Sequence, residues 1–186
     1  GGAPYYNASY NGTPADGVSV RYVPSVVQSY YDWGSEVATQ NMSSTPQYIS
    51  GEFFTEDSST VCDSGDTESL PRYTTESWLR GYTLPSACDA DGDGYNGSAR
   101  FWAAGPVAVA VMQVAYDSVY GPAGRAQAYS GFGPGATVLY APALYYGYYG
   151  WDSSINVQNV GVGDATVSVI YSDGYTFDVT IPSRSS

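Results

Sequence analysis

The sequence predicts an all-β protein built from β-sandwich modules, and three observations carry that expectation. Tyr, Val and Thr suit a pleated, half-buried surface, and 20 of the 186 residues are Tyr. Turn formers punctuate the whole chain, with 22 Gly and 11 Pro. Short segments alternate apolar and polar side chains at period two, whereas none carries Leu, Ala, Glu and Lys at helical spacing.

The elements follow in order. Residues 18–22, 36–40 and 47–54 read as the first strands. Residues 99–103, 107–116 and 125–129 follow, and Val107-Ala-Val-Ala-Val-Met112 is apolar enough for a central core strand. Glu76-Ser-Trp-Leu-Arg80 leaves room for one helical turn. Towards the end, residues 154–159, 165–171 and 175–181 alternate cleanly. Ser172-Asp173-Gly174 between the last two is a hairpin turn, and Pro182 stops the final strand.

Charge removes whole classes of function. The chain has 18 acidic and 6 basic residues, all six of them Arg, for a net charge of −12. Such a surface repels phosphate, which excludes nucleic acid and anionic membrane surfaces as partners. Without His or Lys there is no His-based triad, no His metal site, no Schiff-base Lys and no P-loop Lys. The longest apolar stretch, 101–116, is too short to span a bilayer and contains Gly105-Pro106. An aromatic content of 16% argues against disorder. The chain begins Gly1-Gly2 without Met, so it reads as a processed or excised chain.

The sequence matches itself at an offset of 118. Val20-Arg-Tyr-Val-Pro24 aligns with Val138-Leu-Tyr-Ala-Pro142. The match runs without a gap through Tyr30-Tyr31-Asp-Trp33-Gly-Ser35 and Tyr148-Tyr149-Gly-Trp151-Asp-Ser153 to Gln40-Asn41 and Gln158-Asn159. Internal repeats of this kind belong to modules stacked in arrays. The expected organisation is an extended segment at 1–19, either the end of a preceding module or a donor strand. A β-sandwich module over 20–124 and a partial second module over 125–186 follow. Half a sandwich leaves apolar side chains and a strand edge in water, so the partial module should be completed by a neighbouring subunit or by further chain.

Ile155-Asn-Val-Gln-Asn-Val-Gly161, Asp164-Ala-Thr-Val-Ser-Val169 and Tyr171-Ser-Asp-Gly174 together resemble the Ig-like, CARDB-like β-sandwich repeats of prokaryotic surface proteins. The likeness covers about 30 residues. The first copy follows it less well, with Asn41-Met-Ser43 where Gly is expected. The resemblance implies an Ig-like fold and an extracellular, non-catalytic, tandem structural or adhesive module.

Four groups of residues carry candidate chemistry. Cys62 and Cys88 form an even pair suited to a disulfide in an oxidising compartment. Asp89, Asp91 and Asp93, with Gly94 sixth and Tyr95 offering its carbonyl, match the start of a calcium loop, although position twelve is Arg100 rather than Glu. Asp63, Asp66 or Glu68 would supply the missing ligand. A hard-cation site of this type leaves little room for an acid/base division of labour, so no catalytic residue is expected. Asn7, Asn11, Asn41 and Asn96 stand in Asn-x-Ser/Thr sequons and are candidate glycan sites. Tyr22, Tyr30, Tyr31 and Trp33 in the first copy, with Tyr140, Tyr145, Tyr146, Tyr148, Tyr149 and Trp151 in the second, offer large contact area at low entropic cost.

These features point to a non-enzymatic structural subunit of an extracellular filament or cell-surface array. It would join copies of itself head to tail by strand complementation and aromatic interfaces, with Ca2+ as a structural ion. The alternative is an adhesin or carbohydrate-binding module of a longer tandem surface protein, with glycans as partners.

Overall fold

The computed structural model describes residues 16–55, 59–79, 84–89, 91–115, 126–141, 144 and 153–186. The described residues form ten strands and no helix. They are β1 (Val20–Tyr30), β2 (Trp33–Asn41), β3 (Ile49–Phe54), β4 (Val61–Asp66), β5 (Thr75–Trp78), β6 (Tyr95–Ala103), β7 (Val107–Ala115), β8 (Ala126–Ser130), β9 (Ala165–Ile170) and β10 (Thr176–Ile181). All ladders are antiparallel.

Eight strands join in the order β4-β3-β6-β1-β2-β7-β8, with β5 on β2. β1 and β2 touch only near their hairpin, at Gln28 with Gly34 and Tyr30 with Trp33. They then part. β1 pairs with β6 along its length, while β5 takes over the edge of β2 that β1 leaves. The result is two layers, β4-β3-β6-β1 and β5-β2-β7-β8, in the manner of a β-sandwich. Val23, Val26, Ile49, Phe53, Tyr95, Ala99 and Phe101 from the first meet Val37, Val107, Val109 and Val111 from the second in one buried cluster. Alternation explains the burial. Along β7, Val107, Val109 and Val111 are 1% exposed, and Met112 faces out.

Trp78 of β5 bridges the layers, with its ring 5.2 Å from Phe101 and 6.4 Å from Phe53. Gly51 makes room for this, since a Cβ there would lie 2.8 Å from the Phe101 ring. Arg21 of β1 also reaches across. Its Nε donates to the Val107 carbonyl at 2.9 Å, and its buried charge pairs with Asp16.

The structure departs from the sequence expectations in four places. The helical turn expected at 76–80 is absent from its described residues, 76–79, because Glu76, Ser77 and Trp78 are paired in register with Thr39, Ala38 and Val37. β4 has no apolar alternation and was not foreseen. β8, expected to open the second module, pairs with β7 instead, and Phe132 just beyond it bridges to Tyr22 of β1. The first unit therefore extends past residue 124. Residues 154–159 join no ladder among the described residues. The two-stranded β9–β10 hairpin shares no ladder with the large sheet, although Ser98 of β6 donates through its hydroxyl to the Arg184 carbonyl just after β10.

Gly97 in β6 is under the tightest steric demand of the core. A Cβ there would lie 2.2 Å from the Phe54 carbonyl oxygen and 2.7 Å from the Tyr95 ring. Gly97→Ala is expected to cost about 2–3 kcal/mol by overpacking. Gly163→Ala, with nothing within 4 Å of its Cβ, should stay within about 0.5 kcal/mol of the parent in urea unfolding.

Candidate metal loop and paired asparagine sites

The acidic loop is held from both ends. On one side Cys88 is bonded to Cys62 of β4, with the two Cα atoms 5.0 Å apart. Cys88 and Asp89 close a turn by donating to the Pro85 and Ser86 carbonyls. On the other side the chain enters β6 at Tyr95, opposite Gln28. Between them, the Asp89 carboxylate accepts the Gly92 and Gly94 N–H groups at 2.9 and 3.1 Å. Gly94 has φ +100°, and a Cβ there would sit 2.5 Å from the Ser29 backbone, so the tight turn requires glycine.

This turn brings together one carboxylate oxygen each from Asp89, Asp91 and Asp93, all within 4.8 Å of one another. The group could hold a metal ion. Its electrostatics fit such a role. A hydrogen bond from the protonated Asp93 carboxyl to Asp91, then desolvation and the charges of Asp91 and Asp89, raise the Asp93 carboxyl above its ordinary value. A bound cation would relieve that repulsion. Asp63, Asp66 and Glu68 do not join the group, and Asp66 accepts a hydrogen bond from Ser50 instead. Tyr95, whose backbone carbonyl is the fourth expected ligand, is buried, and its hydroxyl, which plays no part in that expectation, donates to the Phe54 and Ser98 carbonyls. Burial pushes the Tyr95 and Tyr129 hydroxyls upward, so both stay neutral.

The expected glycan sites divide. Asn7 and Asn11 lie outside the described residues. Asn96 is half-buried in β6. Asn41 is fully buried, and its side-chain nitrogen, the atom a glycan would take, donates to the Thr45 and Leu70 carbonyls, both at 2.9 Å. That geometry removes Asn41 from the candidates.

Of the expected interface aromatics, Tyr22, Tyr30 and Trp33 are half-buried and Tyr31 is exposed. Tyr30 and Tyr31 stack edge to face at 4.7 Å beside the β1–β2 hairpin. Tyr140 is 90% exposed. Tyr145, Tyr146, Tyr148, Tyr149 and Trp151 lie outside the described residues.

A second feature escaped the sequence reading. Asn41 and Asn159 make the same set of bonds. In each, Oδ1 accepts the N–H two residues on, from Ser43 at 2.7 Å and Gly161 at 2.9 Å. Each Nδ2 donates to the carbonyl four residues on, Thr45 or Gly163, and to a distant one, Leu70 or Ile181. Each backbone N–H donates four residues past that distant partner, to Thr74 or Ser185. Thr74 and Ser185 in turn close onto Pro71 and Pro182, and Tyr73 and Arg184 before them take φ +62° and +64°. Leu70 bridges to Gln47 as Ile181 pairs with Ala165. Ser50 donates to Asp66 as Ser168 donates to Asp178. The signal was present as Leu70-Pro71-x-x-Thr74 and Ile181-Pro182-x-x-Ser185. These lie 111 residues apart rather than 118, so an ungapped comparison misses them.

Comparison with protein-family models, with curated proteins and with solved structures finds no match. No helix among the described residues is long and apolar enough to cross a membrane.

Two outcomes follow. Asn41→Ala leaves the Ser43 N–H and the Thr45 and Leu70 carbonyls without their side-chain partner and should cost about 3 kcal/mol in thermal or urea unfolding. A divalent cation titrated by calorimetry should bind more weakly as pH falls, about tenfold per unit once Asp93 takes a proton. Because the Asp93 pKa is raised, that loss should begin above the ordinary carboxylate range, and Asp93→Asn should move its onset lower.

Proposed function

We propose that the chain is a non-enzymatic structural subunit of an extracellular filament or cell-surface array. Copies join head to tail, and each completes the partial β-sandwich of its neighbour. The observation that carries this reading is the state of residues 153–186. They repeat the hydrogen bonds of the first unit around Asn159, yet among the described residues β9 pairs with β10 alone. A two-stranded hairpin is marginal in water without a third strand or a packed face. Here Ile170 is 73% exposed, Tyr175 62%, and Phe177 and Val179 41% each. Apolar surface of this kind, beside unpaired strand edges, invites another chain.

The repeat at offset 118 and the Ig-like module belong to this proposal. The first unit serves as the template for what the second lacks. The acidic loop holds a structural Ca2+, and with the Cys62–Cys88 disulfide it stiffens the entry to β6. Glycans on Asn7, Asn11 and Asn96, with a net charge of −12, keep neighbouring fibres apart. The disulfide is compatible with secretion.

One observation favours the alternative of a carbohydrate-binding module in a tandem adhesin. Tyr171, Tyr175 and Phe177 form an exposed trio with ring centroids 5.8 to 6.5 Å apart. Sugar binding would quench the intrinsic fluorescence of the isolated protein.

Electron microscopy of the purified protein, with calcium and after chelation, separates the readings. Fibres of regular repeat are expected. Their loss on chelation would locate the ion at the junctions, while separate globules in both conditions at high concentration would overturn the polymer.

A further inference from the structure

Resting on that assembly, the geometry points to a particular junction. We infer that residues 6–13 of a second copy add to the outer edge of β9, antiparallel to it, in the place that β6 takes beside β3.

The acceptor is defined by register. Ser50 with Asp66 and Gln47 with Leu70 are matched by Ser168 with Asp178 and Ala165 with Ile181. β9 therefore corresponds to β3, residue for residue, from Gln47 and Ala165 onward. The other edge of β3 holds β6, where Ser50 lies opposite Trp102, Gly51 opposite Phe101, Glu52 opposite Arg100 and Phe53 opposite Ala99. The same edge of β9 has no ladder among the described residues. The hairpin is also two-faced. Val167, Val169, Phe177, Val179 and Ile181 share one side, while Thr166, Ser168, Thr176, Asp178 and Thr180 share the other with a single apolar residue, Ile170. A third strand must therefore alternate apolar inward and polar outward.

The donor is identified by sequence. β6 opens with Tyr95-Asn96-Gly97-Ser98, in which Tyr95 plugs the core and Ser98 is fully buried. Tyr-Asn-Gly/Ala-Ser/Thr occurs twice more, at Tyr6-Asn-Ala-Ser9 and Tyr10-Asn-Gly-Thr13. Residues 6–13 thus alternate perfectly, with Tyr6, Ala8, Tyr10 and Gly12 on one side and Asn7, Ser9, Asn11 and Thr13 on the other. Superposing Tyr6-Asn-Ala-Ser9 on Tyr95–Ser98 sets Ser9 opposite Ser172, Tyr10 opposite Tyr171, Asn11 opposite Ile170, Gly12 opposite Val169 and Thr13 opposite Ser168.

Two details fit this register. In the first unit a glycine on β3, Gly51, yields to the bulk of Phe101 on β6. At the junction the sizes are exchanged, with Val169 on the acceptor and Gly12 on the donor. Pro14 then falls at the last pair, where a missing N–H does least harm. The donor stops two residues short of Asp16, which is tied to Arg21 of its own copy. Asn7 and Asn11 face outward, so sugars on them leave the junction clear.

The test is disulfide capture between two differently labelled full chains. One carries Thr13→Cys or Asn11→Cys and the other Ser168→Cys or Ile170→Cys; fibres are imaged in parallel. The in-register pairs, Thr13→Cys with Ser168→Cys and Asn11→Cys with Ile170→Cys, should form mixed dimers on non-reducing gels at least tenfold faster than Thr13→Cys with Ile170→Cys. A synthetic peptide of residues 5–14, added in excess, should shorten the fibres. Fibres without in-register capture would overturn this junction and leave the polymer standing. Absence of both fibres and capture would overturn both. Capture within single chains carrying both cysteines, with no mixed dimers, would assign the strand to its own copy and overturn the exchange.

Discussion

The buried carboxamide of Asn41 is the constraint on which the first unit depends. Asn41 ends β2; its two side-chain polar atoms fasten residues 43–45 and Leu70, and its backbone N–H donates to Thr74. Fastening Thr74 delivers the next residue, Thr75, onto the vacant edge of β2. β5 then carries Trp78 between the layers, against Phe53 and Phe101. Side-chain and backbone groups of one residue thus pair buried N–H and C=O groups at the point where the chain turns into β5 and its aromatic contact with the core.

The same device at Asn159 works on a thinner body. There the amide fastens residues 161–163 and Ile181, and the backbone N–H donates to Ser185. The scaffold of the knot is present, but the aromatic layer it serves in the first unit has no counterpart among the described residues. The local bonds around Asn159 are made while Ile170, Tyr175, Phe177 and Val179 stay exposed.

The legibility of the sequence tracked the physical origin of each element. β3, β6 and β7 alternate because one face is buried, and β9 and β10 alternate although their side chains are mostly exposed, so the pattern of all five is written in the residues themselves. β1 runs eight residues beyond the stretch read from the sequence, through Pro24 and a bulge between Val23 and Val26 that disrupts the period. β4, Val-Cys-Asp-Ser-Gly-Asp, lies at an edge with both faces largely wet, and its extension comes from β3 and the disulfide rather than from composition. β5 has one large apolar side chain, and its strand form is decided by the edge of β2, a tertiary effect that no local window contains. At the site, the Asp-x-Asp-x-Asp-Gly spacing was readable because the turn is local. The idea that Asp63, Asp66 or Glu68 would complete it was not sound, since it depended on which way β4 faces.

The disulfide has a mechanical meaning beyond its effect on folding equilibrium. Cys62 and Cys88 are 26 residues apart in sequence but 5.0 Å apart in space. A chain pulled at its ends lengthens by about 3.4 Å for each residue drawn out of the fold. The bridge withholds its loop from that extension, about 90 Å of contour that load cannot recruit. Strain is diverted into the strands on either side, while the acidic loop and the entrance to β6 keep their shape. The stretch of chain least able to lengthen is then the one beside which the carboxylates of Asp89, Asp91 and Asp93 are gathered.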